Sequence, residues 1–445
     1  MAGEKGEPPL RLSYFDEEGN AWMYNKSTDS YYLHYFSRKQ PDLNWENPEV
    51  RQEIFDMMRF WFDKGIDGFR MDSISLIAKD PSFPLIDSKK YPDIFSFYAK
   101  EPRLHLYLHE MNRQVLSKYD CMSVGEGSAV MVDDVAKFVD PAREELNMLY
   151  HFDAARIRNT TLPDNPESGI DYSLIALKKM FTEWDKAVDK GWPSIYLGNH
   201  DQPRMVSRFG SDKDEFRALS AKMLITFLLT MRGTPYWFAG DEIGMRNIRF
   251  DRIEDYNDID TINRYKKAKA EGKDPQAVLD EQKETGRDNA RTPFQWDRSP
   301  ETGFTAGTPW LKVNPDYTWI NVADEEKDPT SILNYFKKVV SFRKENPSLI
   351  YGSYHLLDAE NPQSYTFLRK TGADTYLIML NFSPKAAIST PGIDMSNAHV
   401  LLDNYGDRSH MAPQKDITLR PFEAIVFQLN HPVYESFIDS LDLLE

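Results

Sequence analysis

The stretch Ile66-Asp67-Gly68-Phe69-Arg70-Met71-Asp72 decides the fold. It is a short run with apolar residues that ends in a carboxylate, and it directly follows a segment with the spacing of a helix. That segment starts at Asn47-Pro48, where asparagine can cap a helix and proline can occupy the first turn, and Gly65 ends it. A helix that leads into a strand with a charged end is typical of a β/α unit.

The same strand pattern recurs four times further along the chain. The other candidates are Cys121 to Glu126, Leu146 to Asp153, Ser194 to Asp201 and Thr234 to Asp241. Strands that alternate with helices predict a parallel α/β sheet, and in a (β/α)8 barrel the catalytic groups lie at the carboxyl ends of the strands. Because a complete barrel has eight strands and five are visible, the prediction is a partial TIM barrel.

The flanking regions predict smaller units. Aromatic runs within residues 1–38 suggest a small β unit, residues 39–348 hold the barrel part, and an irregular insertion covers about 246–326 with one helical stretch near 275–285. A last barrel helix is predicted to start at Asp328-Pro329. Short β runs over 349–430 predict an antiparallel C-terminal β domain, a β-sandwich, followed by an acidic tail at 431–445.

Composition excludes several classes of partner. The chain has 445 residues and a formal net charge of -16, so its field repels nucleic acid and anionic membranes. Its longest apolar run, Met223 to Met231, is far shorter than the roughly 20 residues of a membrane span. The single cysteine, Cys121, rules out a disulfide within the chain, which fits the predicted cytoplasmic location.

Two strand ends carry candidate catalytic carboxylates. Arg70 and Asp72 are two apart on a strand and point the same way, so the guanidinium favours an ionised carboxylate, as a nucleophile requires. Glu126 stands between glycines after an apolar strand, where burial would raise its pKa as a general acid requires. Each residue alone could equally be structural, as part of an ion pair or a cap.

A third strand end carries Asn199-His200-Asp201. Asp201 and His200 could grip sugar hydroxyls. A metal site would need two or three further ligands at set spacing, which the sequence does not offer, and neither a metal nor another cofactor is expected. Together the three strand ends suit retaining glycoside hydrolysis, which uses a nucleophile and an acid/base roughly 5 to 5.5 Å apart.

The motifs GFRMD, VGE and NHDQPR, in that order, resemble glycoside hydrolase family 13, the α-amylase superfamily. Four further segments resemble its oligo-1,6-glucosidase and α-glucosidase branch: QPDLNWENPEVR, RGTPYWFAGDEIGM, ARTPFQWD and PWLKVNPDY. The resemblance runs from about Gly19 to Leu429. It implies a (β/α)8 barrel with an inserted domain B and a β domain C.

The resemblance also implies a role for each matching residue. Asp72 would be the nucleophile, Glu126 the general acid/base, and Asp201 the group that stabilises the distorted sugar, with His200 beside it. Arg70 would hold Asp72 ionised. The implied substrate contacts are completed by Arg291 in the glucose subsite, Asp42 in the wall Gln40 to Trp45, and Phe152. The expected partner is a small oligosaccharide, and the expected activity is release of glucose from the non-reducing end of short α-glucosides.

Three departures from the family pattern qualify this reading. The signature at the end of the third family strand has no counterpart here, so we expect an N-terminally truncated member with strands 4–8 present and the first three absent. Ser73 follows the proposed nucleophile, where valine accompanies α-1,6 preference and threonine or alanine accompanies α-1,4 preference, and it leans toward α-1,4 or mixed cleavage. The segment FDAARIRN, Phe152 to Asn159, lacks the acidic residues of the sucrose isomerase loop.

These departures leave alternatives open. A catalytically inactive truncated member is one, and a transglycosylase or sucrose isomerase on the same scaffold is another. Linkage preference, preferred chain length and oligomeric state are not decided by the residues.

Overall fold

The computed structural model describes residues 8, 11, 13–14, 20–84, 99, 101–372, 374–408 and 415–429, without the side chains of residues 159 and 160. The predicted tail at 431–445 lies outside these residues. The chain divides into two compact units: one contains Met1–Phe152, Lys186–Pro193 and Ile259–Pro275, and the other contains Asp153–Asp185, Ser194–Asp258 and Gln276–Glu445.

The α-helices of the described residues are Pro48–Asp63, Arg103–Gln114, Ala136–Val139, Asp153–Thr160, Leu174–Ala187, Met205–Phe209, Arg217–Thr230, Ile259–Ala270, Pro275–Thr285, Val322–Glu325, Ile332–Glu345 and Ser348–Tyr351.

The first unit contains a β-hairpin and a parallel sheet. Its strands are β1 (Trp22–Asn25), β2 (Ser30–Leu33), β3 (Gly68–Met71), β4 (Met122–Glu126) and β5 (Met148–Tyr150). The hairpin pairs β1 with β2 antiparallel, and the parallel sheet has the order β3-β4-β5. Because Glu126 is the register partner of Tyr150 and Arg70 lies on β3, the functional side chains of three strands gather at one end of the sheet.

The helix Pro48–Asp63 begins and ends as predicted. The Asn47 side chain accepts a hydrogen bond from the backbone N–H of Glu49, and Gly65 adopts a φ of 93° just after the helix. Phe62 is buried and meets the ring of Phe69 on β3 edge to face at 5.0 Å. This packing holds the helix against the strand that carries Arg70.

The second unit contains the other two parallel strands, β6 (Ser194–Ile195) and β7 (Thr234–Pro235), which pair with each other. The helix Arg217–Thr230 is buried almost all round, which explains the long apolar run within it. The helix Ile332–Glu345 packs on it, and the hydroxyls of Thr226 and Tyr335 lie 2.7 Å apart at that contact.

An antiparallel sheet forms the C-terminal part of the described residues, as predicted. Its order is β12-β14-β10-β9-β8, beside a two-stranded pair β11-β13. The ranges are β8 (Ser353–Leu357), β9 (Ser364–Thr371), β10 (Asp374–Asn381), β11 (Ala387–Ser389), β12 (His399–Asp403), β13 (Ile417–Leu419) and β14 (Ala424–Leu429). Buried Arg369 on β9 donates to the backbone oxygens of Thr230 at 2.6 Å and Leu349 at 2.9 Å, which ties this sheet to the helices of its own unit.

Two details differ from the sequence prediction. Besides the predicted helix, the insertion contains the short helix Val322–Glu325 and the helix Ile259–Ala270, of which only Thr261 and Ala268 are buried, so its apolar spacing is weak. The helix predicted from Asp328-Pro329 starts at Ile332 instead, because the Ser331 hydroxyl caps it by accepting from the N–H of Asn334. The predicted domain boundaries stay predictions.

Candidate active site

The end of β4 is shaped by close packing around Glu126. A Cβ atom on Gly125 would come within 2.8 Å of the side chains of Ile74 and Leu146, so a larger residue cannot be accommodated there without movement. Gly127 is equally confined, against Leu149. The two glycines therefore let neighbouring apolar side chains close over the strand end, and they leave Glu126 only 6% exposed.

One guanidinium joins both candidate catalytic carboxylates. Arg70 donates to Asp72, and its Nη2 donates to Oε2 of Glu126 at 2.8 Å. Two carboxyl groups bonded to one guanidinium lie no more than about 9 Å apart. The expected convergence of Arg70, Asp72 and Glu126 is therefore seen in the first unit.

The pKa of Glu126 is raised to about 7, mainly by burial, and the charge and hydrogen bond of the neighbouring Asp72 carboxyl contribute to this rise. The Ser73 N–H, at 2.9 Å from Oε2, and the charge of Arg70 act in the opposite direction. Because both donors contact Oε2, the proton of the acid form belongs on Oε1. A carboxyl with this pKa can both give and take a proton near neutral pH.

Ser73 occupies an unusual backbone conformation. Its φ of 44° lies in the left-handed region, which costs a residue other than glycine about 1 kcal/mol. The sequence analysis singled out Ser73 for the size and polarity of its side chain. In the structure its backbone contributes to the site, because the N–H donates to Glu126. The strained turn thus orients the carboxyl of Glu126 next to Asp72.

Tyr150 is a site residue that the sequence analysis missed. Its hydroxyl accepts hydrogen bonds from Arg70, at 3.0 Å from Nε, and the guanidinium lies 5.6 Å from the centre of its ring. Phe152, a predicted substrate contact, meets Tyr150 edge to face at 5.8 Å. Strand alternation did not mark Tyr150, because it is the last residue of β5 and Phe152 lies beyond the strand.

The second unit gathers the other predicted residues around Asp201. Arg291 donates from Nη2 to Oδ1 of Asp201 at 2.8 Å and from Nε to the backbone oxygen of His200 at 2.7 Å. The His200 ring lies 3.3 Å from the other carboxylate oxygen of Asp201. The expected association of His200, Asp201 and Arg291 is therefore seen.

Arg287 and Asp258 complete this second group, and neither was predicted. Arg287 donates to Oδ1 of Asp201 at 3.2 Å and pairs with Asp258, whose side chain is 1% exposed. Asp258 also lies 3.7 Å from Arg291. No local pattern linked Arg287 to this group, because the short 3₁₀ turn that it starts ends at Asn289, before Arg291.

Asp42, unlike the other predicted substrate contacts, pairs with a lysine that belongs to neither of the two groups described above. Its carboxylate pairs with Lys79 at 2.5 Å, and that ammonium also lies 5.3 Å from the centre of the Tyr35 ring. Burial raises the pKa of Asp42, while the charge of Lys79 lowers it. The structure thus gives Asp42 an ion-pair partner in the first unit, and its contact with substrate stays a prediction.

Two kinds of feature are absent from the described residues. No group of three or more histidine, cysteine, aspartate or glutamate side chains there is arranged to hold a metal ion. None of the helices in the described ranges combines the length and apolar character needed to cross a bilayer.

Comparison with known proteins gives consistent matches. The α-amylase catalytic-domain family matches residues 2–352. The chain is 47% identical over 441 residues to an oligo-1,6-glucosidase of Parageobacillus thermoglucosidasius, a match that covers 97% of the chain and 77% of that protein. It is 44% identical over 421 residues to the oligo-1,6-glucosidase of Bacillus cereus, with 92% and 74% covered.

A solved structure agrees with these matches. The isomaltulose synthase of Protaminobacter rubrum superposes with a TM-score of 0.89 at 37% identity, covering 96% of this chain and 76% of that one. At this identity and coverage the similarity extends from the fold to the family.

Proposed function

This chain belongs to the α-amylase family, in its oligo-1,6-glucosidase and α-glucosidase branch, and we propose that it is a retaining, exo-acting enzyme that removes glucose from the non-reducing end of short α-glucosides. It is a glycosidase that acts on α-glucosides, with the fold of its family, a TIM barrel followed by a C-terminal β domain. The observation that supports the finer proposal is the bridging of Asp72 and Glu126 by Arg70.

The first chemical step assigns one role to each bridged carboxyl. A carboxylate oxygen of Asp72 attacks C1 of the glucose unit while Glu126 transfers its proton to the glycosidic oxygen. The bond from C1 to that oxygen breaks, the shortened alcohol leaves, and glucose is held as an ester on Asp72. Arg70 orients both carboxyl groups for this step.

The second step returns the enzyme to its starting state. Glu126, now ionised, takes a proton from water as the water oxygen attacks C1 and the ester bond to Asp72 breaks. Each step inverts C1, so the released glucose has the α configuration. A pKa of Glu126 near 7 suits both halves of this cycle.

The remaining roles concern the sugar ring. We assign Asp201 and His200 to the hydroxyls of the distorted glucose unit, with Arg291 holding Asp201 in place. Phe152 supplies an apolar contact, and Asp42 belongs to the wall of the site. The small partner is an oligosaccharide, and no step needs a cofactor.

The finer organisation follows the same family pattern. We propose that β3 to β7 correspond to strands 4 to 8 of the barrel, that residues 1–38 belong to domain B, and that domain C occupies 349–430. A cytoplasmic location is part of this proposal.

Two observations bear on which glycosidic linkage the enzyme cleaves. The relatives described above are oligo-1,6-glucosidases, while Ser73 is smaller and more polar than the valine that accompanies strict α-1,6 preference. We infer that both α-1,6 and α-1,4 disaccharides are cleaved. Hydrolysis rates on isomaltose and maltose that differ by more than about a thousandfold would contradict mixed preference.

Sucrose isomerisation is the second candidate, because an isomaltulose synthase is among the similar solved structures. The segment FDAARIRN lacks the acidic residues expected of that activity. Incubation with sucrose should therefore give glucose and fructose, and formation of isomaltulose or trehalulose as the main product would reverse this assignment.

The test of the proposed function is the stereochemistry and residue dependence of glucose release. Wild-type protein should release α-glucose from a nitrophenyl α-glucoside, followed by NMR of the anomeric proton, and Asp72→Asn should remove this activity. Asp63→Asn is the matched control, because Asp63 is exposed and accepts a hydrogen bond from the Tyr119 hydroxyl at 2.9 Å, away from the carboxyl groups of the site. Release of β-glucose, or full activity of Asp72→Asn, would exclude the mechanism.

A further inference from the structure

Trp310 is an exposed indole fixed beside the Asp201 group of the second unit. Its side chain is 58% exposed, although burial of an indole is favourable. It belongs to the segment PWLKVNPDY, which the catalytic roles above leave unused. Its neighbour Leu311 is 4% exposed and anchors the segment in the core.

Three contacts restrict the position of Trp310. Its indole N–H donates to the backbone oxygen of Arg291 at 2.8 Å. The ring of Phe304 meets it edge to face, with centres 5.1 Å apart and planes at 85°. Its backbone oxygen accepts from the side-chain amide of Asn257. The ring therefore presents a large apolar surface to solvent in an orientation that is already set.

The hydrogen bond to Arg291 connects this surface with the sugar-binding group. Arg291 bonds to Trp310 through its backbone and to Asp201 through its guanidinium. A single residue, Arg291, therefore separates the indole from a sugar that is held by Asp201. Small-molecule sites typically combine such a polar anchor with an apolar wall.

Two other exposed tryptophans lack this combination. Trp319 lies against the guanidinium groups of Arg217 and Arg246, each 5.0 Å from its ring centre. Trp296 packs on Phe294 at 4.5 Å and is 50% exposed, but its contacts do not include Arg291 or Asp201. Trp296 is therefore a matched control for the loss of an exposed indole.

We infer that Trp310 is a stacking platform for a second pyranose ring of an α-linked oligosaccharide whose first ring is held by Asp201 and Arg291. The inference rests on the proposed function. It adds that the enzyme selects substrates by chain length, because a second sugar ring stacks on the indole of Trp310. The C–H face of a pyranose is apolar, and a platform that is already oriented loses little entropy on binding.

The experiment measures binding separately from catalysis. In the Asp72→Asn background, calorimetry gives the affinity for glucose and for isomaltotriose. Adding Trp310→Ala should weaken trisaccharide binding about tenfold more than glucose binding. Trp310→Phe should retain most of the affinity, because a ring remains, and Trp296→Ala should leave the ratio unchanged.

Two outcomes overturn the inference. An equal loss for both sugars would mean that Trp310 only supports Arg291, and an unchanged ratio would mean that the indole touches no sugar. If the Trp310→Ala chain fails to fold, Trp310→Phe and Trp310→His provide the same comparison between a hydrophobic and a polar ring. Trp310-dependent binding by a wild-type protein that hydrolyses nothing would leave the platform standing and remove the proposed function.

Discussion

The two groups of charged side chains differ in how many cations serve each carboxyl. In the first unit, Arg70 is the one cation that pairs with Asp72 and Glu126 among the described residues, and it pairs with both. In the second unit, Arg287 and Arg291 both bond to one oxygen of Asp201. A cation shared by two carboxyl groups only partly offsets the cost of burying the charge of one of them. Two cations on one carboxylate fix it in one place.

This difference matches different tasks. Glu126 is buried and its pKa is raised to about 7, so its proton can be exchanged at little cost. Asp201 is anchored from two sides, which suits a group that must hold sugar hydroxyls without moving. The comparison assigns proton transfer to the first group and positioning to the second.

The largest effect should come from removing the transferable proton. Glu126→Gln keeps the size and most hydrogen bonds of the side chain, but it cannot protonate a leaving oxygen. We expect kcat/KM on isomaltose to fall about 10⁴-fold and that on glucosyl fluoride far less, because fluoride leaves without strong acid assistance.

The control is another buried glutamate of the same unit. Glu145 pairs with His105 at 2.8 Å and with Arg143 at 2.8 Å, so it resembles Glu126 in burial but not in task. Glu145→Gln should change both substrates equally. An equal loss on both substrates for Glu126→Gln would place Glu126 outside the acid role.

A smaller effect is expected where one of two cations is removed. Arg287→Ala leaves Arg291 on Asp201 and leaves Asp258 with a weaker partner, so kcat/KM should fall about a hundredfold. Arg246→Ala is the matched control, because Arg246 also joins two carboxylates, Asp214 at 2.7 Å and Asp316 at 2.8 Å.

Steady-state kinetics on isomaltose distinguish the two arginines. The Arg246 variant should lose stability but keep its kcat/KM while folded. If Arg287→Ala retained wild-type kcat/KM, the two-cation anchor would have no catalytic value.

The same contrast predicts opposite effects on stability. The folded pKa of Glu126, about 7, exceeds the ordinary value of 4.5, so the folded protein binds this proton more tightly than the unfolded chain does. The contribution to stability is complete below pH 4.5 and is lost as pH rises through 7. Glu126→Gln avoids this loss and should stabilise the first unit by roughly 1–3 kcal/mol above pH 7.

Calorimetry at pH 5 and pH 8 tests that sign. The gain in Tm from Glu126→Gln should be clearly larger at pH 8 than at pH 5, whereas Asp201→Asn should lower Tm, because it removes the partner of two guanidinium groups. A Tm gain from both substitutions would contradict the division of tasks.

Sequence reasoning located the strand ends because the information there is local. Apolar runs bounded by glycines predicted β3 and β4, and the spacing of two residues placed Arg70 and Asp72 on one side. It missed Tyr150 and Arg287, because their partners lie 80 and 86 residues away and no local pattern encodes that pairing.

Two other features were missed for physical reasons as well. The helix Ile259–Ala270 buries two residues only, so its sequence has almost no apolar period to detect. The backbone role of Ser73 was hidden for another reason, since any residue except proline carries an N–H and only the turn conformation directs it at Glu126.

The last prediction concerns the pH dependence that the burial of Glu126 produces. Glu126 must carry its proton to act as the acid in the first step, so kcat/KM should fall as pH rises through about 7, about tenfold for each further pH unit. The fall should be seen for isomaltose and be much weaker for glucosyl fluoride. An alkaline limb near pH 4.5 instead of 7 would mean that Arg70 and the Ser73 N–H outweigh burial at Glu126, and the two groups would then differ in geometry but not in proton affinity.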